Sequence, residues 1–405
     1  MRYLASLTLF LLALVLSSVS SATAAFSLRS DCPASFELRS DGKCHFVSMY
    51  DLYVAQPGQG GMRVPLPPMR QLFTPAQADL GRYLFFDPLL SRDHSLACAE
   101  CHNPGLGFAD GRPTSMGRGG KGVTPERTGG VALRRSAPTV WNVGFLERLF
   151  WDGRAPSLQA QATGPLFAAD EMGNTVEQLQ RDLNGNADYR QLFAAAFARP
   201  AEQPIRLTEV LDALAAFEAT LVSFNSRYDQ YAFGNARALS REEIRGLNVF
   251  RGFVGRCSQC HVPPLFASSE MAVVGAPPVH GKPYDLGAGE GSTNPAAHGA
   301  FKIPTLRNIA CTAPYFQAGQ FNSLEEVVTF YNAPRGHALP RDVDAKVHWH
   351  VHMNKPELSD AGVKSLVAFL KTLTDQTMTP ASPVAVPSGL TVPPTAQGSC
   401  TGKLL

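Results

Sequence analysis

Charge is scarce in this sequence and nearly balanced. Of the 405 residues 17% are charged, and the formal net charge is only +2. That leaves no strongly basic surface for nucleic acid or for an anionic membrane. Long apolar runs are also missing beyond the N-terminus, so no later segment is long enough to span a bilayer. Convincing β-strand alternation is missing throughout. A hydrophobic content of 44% is that of an ordinary globular protein, and the length suffices for two or three compact domains.

The exception is the start of the chain. Arg2 precedes an apolar run from Leu4 to Leu16, then serines 17, 18, 20 and 21, then Ala22-Thr23-Ala24. A positive start, a short apolar core and a small-residue exit describe a cleavable secretory signal over residues 1–24 and export to the periplasm. An anchor would need a longer run.

Eight cysteines are present, and four of them form Cys98-Ala99-Glu100-Cys101-His102 and Cys257-Ser258-Gln259-Cys260-His261. Cys-x-x-Cys-His is the attachment pattern of a c-type haem. Two thiols at that spacing each bond a vinyl group of one porphyrin, and the adjacent His sits under the iron. A zinc site would need four clustered ligands, and a redox dithiol has no need of the His. The other four cysteines are an even number in an exported chain. Cys32 with Cys44 would close a small loop, and Cys311 with Cys400 would clip the tail back onto the body.

Helices dominate the rest. Stretches are expected over about Thr74 to Phe85, from a cap at Thr175, over Thr208 to Val222, from a capping box at Ser240, from another at Ser323, and over Ser359 to Thr374. A helix leads into each Cys-x-x-Cys-His, so the plan is duplicated, although the two halves share little letter-by-letter identity. The expected fold is mostly α, with two c-type cytochrome domains, each around one covalently bound haem. Residues 25–70 read as an irregular N-terminal extension, 71–235 and 236–378 as the two haem domains, and 379–405 as an extended Pro-rich tail. His348, His350 and His352 read as a polar patch rather than a metal site, and His94 as part of the first haem-pocket loop.

Further motifs carry a resemblance. The stretch from Asp79 to Asp87, Ser136 to Asn142, Phe150-Trp151-Asp152-Gly153-Arg154, Gly164-Pro165, Glu171-Met172-Gly173, Phe301 to Asn308 and Ala313-Pro314-Tyr315 resemble the bacterial dihaem cytochrome c peroxidase/MauG family. The likeness runs from about Phe73 to Thr374. It implies a peroxidatic haem on His102 and an electron-relaying haem on His261, with Trp151 between them. It implies Glu171 as the distal acid/base, with Gln161 and Pro165 also in the distal pocket; O–O cleavage needs a proton taken from one oxygen and given to the other. Tyr331 falls where classical members have an axial Met and the MauG branch a tyrosine. Arg118 falls where classical members have a blocking His, and a guanidinium cannot ligate iron. The family's calcium would lie at Ser136, Thr312 and Pro314.

These correspondences imply an oxidoreductase acting on hydrogen peroxide. Its electrons would come from a small periplasmic cytochrome c or cupredoxin, and a homodimer is a common family arrangement. The alternatives are a MauG-like maturase that oxidises residues of a partner protein, and a non-enzymatic dihaem electron carrier. The tryptophan through which the maturase reaches its partner is not evident near Gly255 and Arg256.

Overall fold

The computed structural model describes residues 26–47, 65–333, 357–375, 377 and 379–396. The signal segment, the three histidines at 348–352 and Cys400 lie outside the described residues. No described helix is long and apolar enough to cross a membrane.

Ten helices are described, with four three-residue strands. In chain order they are β1 (Phe36–Leu38), β2 (Cys44–Phe46), α1 (Pro75–Phe86), α2 (Cys98–Cys101), α3 (Leu158–Phe167), α4 (Val176–Gly185), α5 (Ala187–Phe197), α6 (Leu207–Ala219), α7 (Arg227–Ala232), α8 (Arg241–Arg251), β3 (Met271–Val273), β4 (Ala300–Lys302), α9 (Leu324–Asn332) and α10 (Asp360–Lys371). The fold is mostly helical, as expected. β1 pairs with β2 and β3 with β4, both antiparallel. Three residues are too few to show a two-residue period, so both ladders escape pattern reading.

Helix starts follow from local chemistry. Thr74, Ser240 and Ser323 each form a reciprocal capping box with the residue three positions on, and Thr175 caps α4. The helices not anticipated are the four-residue α2, α3, which carries Pro165 inside it, α5, and the six-residue α7.

The duplication is built on close helix crossings. In the first half α1 crosses α6, and in the second α8 crosses α10. A Cβ on Gly81 would meet the Ala213 carbonyl oxygen at 1.9 Å, and a Cβ on Gly246 would meet that of Ser365 at 1.9 Å. Glycine is what lets the backbones touch. Beside each crossing a phenylalanine pair packs, Phe85 with Phe217 at 5.0 Å and Phe250 with Phe369 at 5.2 Å.

The N-terminal extension is not irregular where described. Cys32 and Cys44 form a disulfide, and the β1–β2 hairpin sends Phe36 and Phe46 into an aromatic cluster with Phe73, Phe145 and Phe224. The described tail, 379–396, also packs on the first half. Asn103 donates to the Pro394 carbonyl at 3.0 Å and accepts from the Ala396 amide at 2.9 Å, while Ser388 donates to Asp87 at 2.7 Å. Cys311 is disulfide-bonded.

Candidate functional site: two histidine cradles

The two Cys-x-x-Cys-His segments are held in the same way. α2 spans the first, and a single 3-10 turn over Cys257–Gln259 opens the second. None of Cys98, Cys101, Cys257 and Cys260 is in a disulfide. Burial pushes the Cys98 and Cys257 thiols up to about 12 and raises Cys101 and Cys260 as well. Neutral, sequestered thiols do not suit a redox dithiol, which works as thiolate.

Each histidine is fixed through Nδ1. His102 Nδ1 lies 3.1 Å from the Phe108 carbonyl, and His261 Nδ1 lies 3.2 Å from the Phe266 carbonyl and 3.0 Å from that of Pro304. With Nδ1–H donating to a carbonyl, Nε2 keeps its lone pair for a metal. Burial lowers both imidazoles, His261 to about 4, so both are neutral at neutral pH. Phe108 and Phe266 are fully buried and take left-handed backbone angles (φ 58° and 52°). That is an unfavourable geometry for a bulky residue, and here it aims the carbonyl at the ring.

A short repeat supports both cradles. Pro138-Thr139-Val140-Trp141-Asn142 and Pro304-Thr305-Leu306-Arg307-Asn308 share Pro, Thr and Asn at the same spacing. Thr139 donates to the Gly107 carbonyl and Thr305 to that of Leu265, each at 2.7 Å. Asn142 and Asn308 are both left-handed (φ 60° and 57°). The halves thus do share letters, at positions that matter only once the chain is folded. In the second half Arg307 is fully buried against Asp229, 2.5 Å away.

The second cradle opens on one cavity. Its wall includes Cys257, Cys260, His261 and Tyr331, and from the first half Trp151, Ser136 and Arg112. The phenol of Tyr331 has no hydrogen-bond partner among the described residues, and burial, reinforced by the two cysteines, raises its pKa. Lys302 at the end of β4 is buried on the same wall, and burial lowers it to about 8. A neutral imidazole, a phenol that no hydrogen bond reaches among the described residues, and a buried cation around an apolar cavity are side chains that would suit a haem held by His261.

Trp151 Nε1 donates to the Ser136 carbonyl at 2.8 Å, and the Trp151 carbonyl accepts from the Lys302 amide at 2.8 Å. Thr312 and Pro314 lie on the same wall as Ser136. The Ser136 hydroxyl already donates to the Phe316 and Gln317 carbonyls, and among the described residues no group of three His, Cys, Asp or Glu could hold a metal.

Glu171 stands at the first cradle. The turn that holds it follows α3, with its amide on the Ala168 carbonyl and its own carbonyl accepting from the Arg118 amide. No hydrogen bond reaches its carboxyl among the described residues. Burial, and then Asp170, raises its pKa, with Arg154 opposing, and its charge acts on Cys101. Gln161 and Pro165 lie on α3, just before that turn. Arg118 donates through Nε to the Ala169 carbonyl at 3.0 Å, so its guanidinium is tied across the Glu171 turn. His94, in the loop before the first motif, pairs with Asp182 at 3.3 Å.

Two histidine cradles on a duplicated helical plan define a dihaem oxidoreductase that acts on peroxide. The chain belongs to the di-haem cytochrome c peroxidase/MauG family. The family profile, described as di-haem cytochrome c peroxidase, matches residues 75–237. Over 312 residues the chain is 36% identical to the methylamine utilization protein MauG of Methylorubrum extorquens, covering 76% of this chain and 81% of that protein. It is 33% identical over 337 residues to the cytochrome c551 peroxidase of Nitrosomonas europaea, covering 81% and 90%. Among solved structures, a MauG-like protein associated with microbial copper homeostasis superposes with a TM-score of 0.67 at 31% identity, over 81% of this chain and 98% of that one. The diheme peroxidase BthA of Burkholderia thailandensis gives 0.62 at 29%, over 80% and 92%.

Proposed function

We propose that this chain is a periplasmic peroxidase that reduces hydrogen peroxide to water at the His102 haem. Electrons come from a small cytochrome c or cupredoxin through the His261 haem and past Trp151. Both haems are joined through thioethers, to Cys98 and Cys101 in residues 71–235 and to Cys257 and Cys260 in 236–378. Haem iron supplies a binding place for a peroxide oxygen and exchanges the two electrons.

The protein side chains move the protons. Reducing one peroxide to two waters consumes two electrons and two protons. Glu171 would take a proton from one peroxide oxygen and return it to the other, which a carboxylate that no hydrogen bond reaches among the described residues can do. Gln161 orients the peroxide. The observation that carries this reading is the desolvated carboxyl of Glu171 near Cys101, which no hydrogen bond reaches among the described residues. Arg118, tied to the Ala169 carbonyl, has no lone pair to offer iron, which supports an open face opposite His102. A calcium ion on main-chain oxygens of Thr312 and Pro314 with Ser136 belongs to the same proposal.

Rapid mixing of the fully oxidised protein with hydrogen peroxide, followed by visible and near-infrared absorption, tests it. An immediate spectral change is expected. No change until one haem has been reduced would refute the open distal face.

One observation favours a second reading. Tyr331 lines the second cavity with a phenol that no hydrogen bond reaches among the described residues, and a phenolate there would hold the iron and favour its oxidised state, as would suit a maturase that stores oxidising equivalents. Turnover with a reduced small cytochrome, against oxidation of a partner protein, separates the two.

A further inference from the structure

Of the charged side chains lining the second cavity, Lys302 is the one that no hydrogen bond or ion pair reaches among the described residues. Its backbone is spoken for: β4 pairs with β3, and the Lys302 amide donates to the Trp151 carbonyl. Its ammonium is not. The residue is 9% exposed, and no hydrogen bond or ion pair reaches it among the described residues. The other charged groups lining this cavity are Asp110, Arg112 and Arg256. Arg256 donates through Nε to the Phe253 carbonyl at 2.7 Å and lies over the Phe253 ring. Asp110 and Arg112 adjoin each other in a loop of the first half, where Asp110 accepts from the Arg112 amide at 3.1 Å and the Arg112 guanidinium is held by the Arg127 carbonyl at 2.9 Å. His261 is neutral, and Tyr331 is neutral until it meets a metal.

The pseudo-symmetry isolates the choice further. Lys302 stands two residues before Pro304, where the first half has Ser136 two residues before Pro138. The first-half residue is a small hydroxyl that donates to main-chain carbonyls. The second half puts a long cation at the equivalent place. A buried ammonium without an anion is costly, so the cavity calls for an anionic occupant at that point.

We infer that Lys302 is the counter-ion of a propionate of the second haem, and that its charge raises the reduction potential of that haem. The inference rests on the haem reading above and adds to it a residue that sets which way electrons run. A propionate left unpaired in a dry cavity adds negative charge near the iron and favours the oxidised state. A phenolate from Tyr331 pushes the same way. Lys302 offsets them, so that the second haem still accepts an electron from a donor. Because the same residue bonds the Trp151 main chain, the charge is held at the junction between the halves. Lys302 is a positioning and electrostatic residue. It moves no proton and touches no peroxide.

The test is the midpoint potential of each haem, by spectroelectrochemistry on the holoprotein, in wild type, K302M, K302Q and K302R. Haem content comes from the pyridine haemochrome. At fixed poise the reduced-to-oxidised ratio of the second haem should fall about tenfold in K302M and K302Q, the size expected of one charge at the haem periphery in a partly screened interior. K302R should keep the wild-type potential, and the first haem should shift less. An unchanged second-haem potential in a fully loaded K302M or K302Q overturns the inference. Should neither neutral variant load the second haem, loading in K302R supports it, and failure of K302R as well overturns it. Fewer than two haems per chain in the wild type would instead overturn the haem reading itself.

Discussion

Glu218, near the end of α6, is buried, and no hydrogen bond or ion pair reaches its carboxyl among the described residues. Burial raises its pKa from 4.5 to about 8. A carboxyl whose pKa is raised on folding binds its proton more tightly in the native state. Its favourable contribution is intact below the unfolded pKa and is lost as pH rises through the folded one. Within that window the native chain keeps a proton that the unfolded chain has released. Stability should therefore fall by up to ~1.4 kcal/mol per pH unit, or on the order of 4 kcal/mol between pH 5 and pH 8.

Glu218→Gln keeps the shape and removes the titration. The amide, like the protonated acid, is a buried polar group without a partner, so at pH 5 the two proteins should differ by less than ~2 kcal/mol. The assay is urea unfolding of the holoprotein and the variant at half-unit steps from pH 5 to pH 8.5. Taking the difference between the two cancels every other titrating group. The wild type should weaken relative to the variant as pH rises, and by pH 8 the variant should be the more stable. Parallel pH profiles would refute the reasoning, since a carboxyl that ionises without cost is solvated or paired.

Two further outcomes follow from the cradles. Glu171→Gln should slow the reaction with peroxide by about 10²–10⁴-fold. In the wild type the rate should rise with pH through the raised pKa of Glu171, because the carboxylate is the form that accepts the proton; stopped-flow rates that keep this pH step in the variant would reassign the base. Asn103→Ala should cost about 3 kcal/mol, since Asn103 is buried, bonds Gly105 at 3.1 Å and ties down Pro394 and Ala396. The tail should then be cut faster in limited proteolysis, and an unchanged cleavage rate would show that it is held elsewhere.

Chemistry that resides in a few adjacent residues is legible before folding. The two Cys-x-x-Cys-His segments announce their ligand because both thiols and the imidazole must meet one porphyrin edge, which is a local requirement. The capping boxes at Thr74, Ser240 and Ser323 close within four residues, so they mark helix starts without help from the rest of the chain. Tyr331, Glu171 and Arg118 were reached by likeness to a family. Alone, each reads as an ordinary aromatic or charged residue, since nothing nearby in the chain distinguishes it.

The remainder belongs to contacts between distant segments. α3 holds Pro165 against its own propensity, and the two hairpins are too short to carry a period. Phe108 and Phe266 become functional because the folded chain forces them left-handed and points their carbonyls at His102 and His261. The tail reaches Asn103 from nearly three hundred residues away. Lys302 and Glu218 look like ordinary surface residues in the sequence. They stand out because tertiary packing removes water from both and supplies no partner among the described residues, and desolvation is a property of the enclosure, not of the residue. The sequence by itself marks the two Cys-x-x-Cys-His segments, because that pattern is local; only the tertiary structure decides which charges lie buried near them, because burial is set by distant segments.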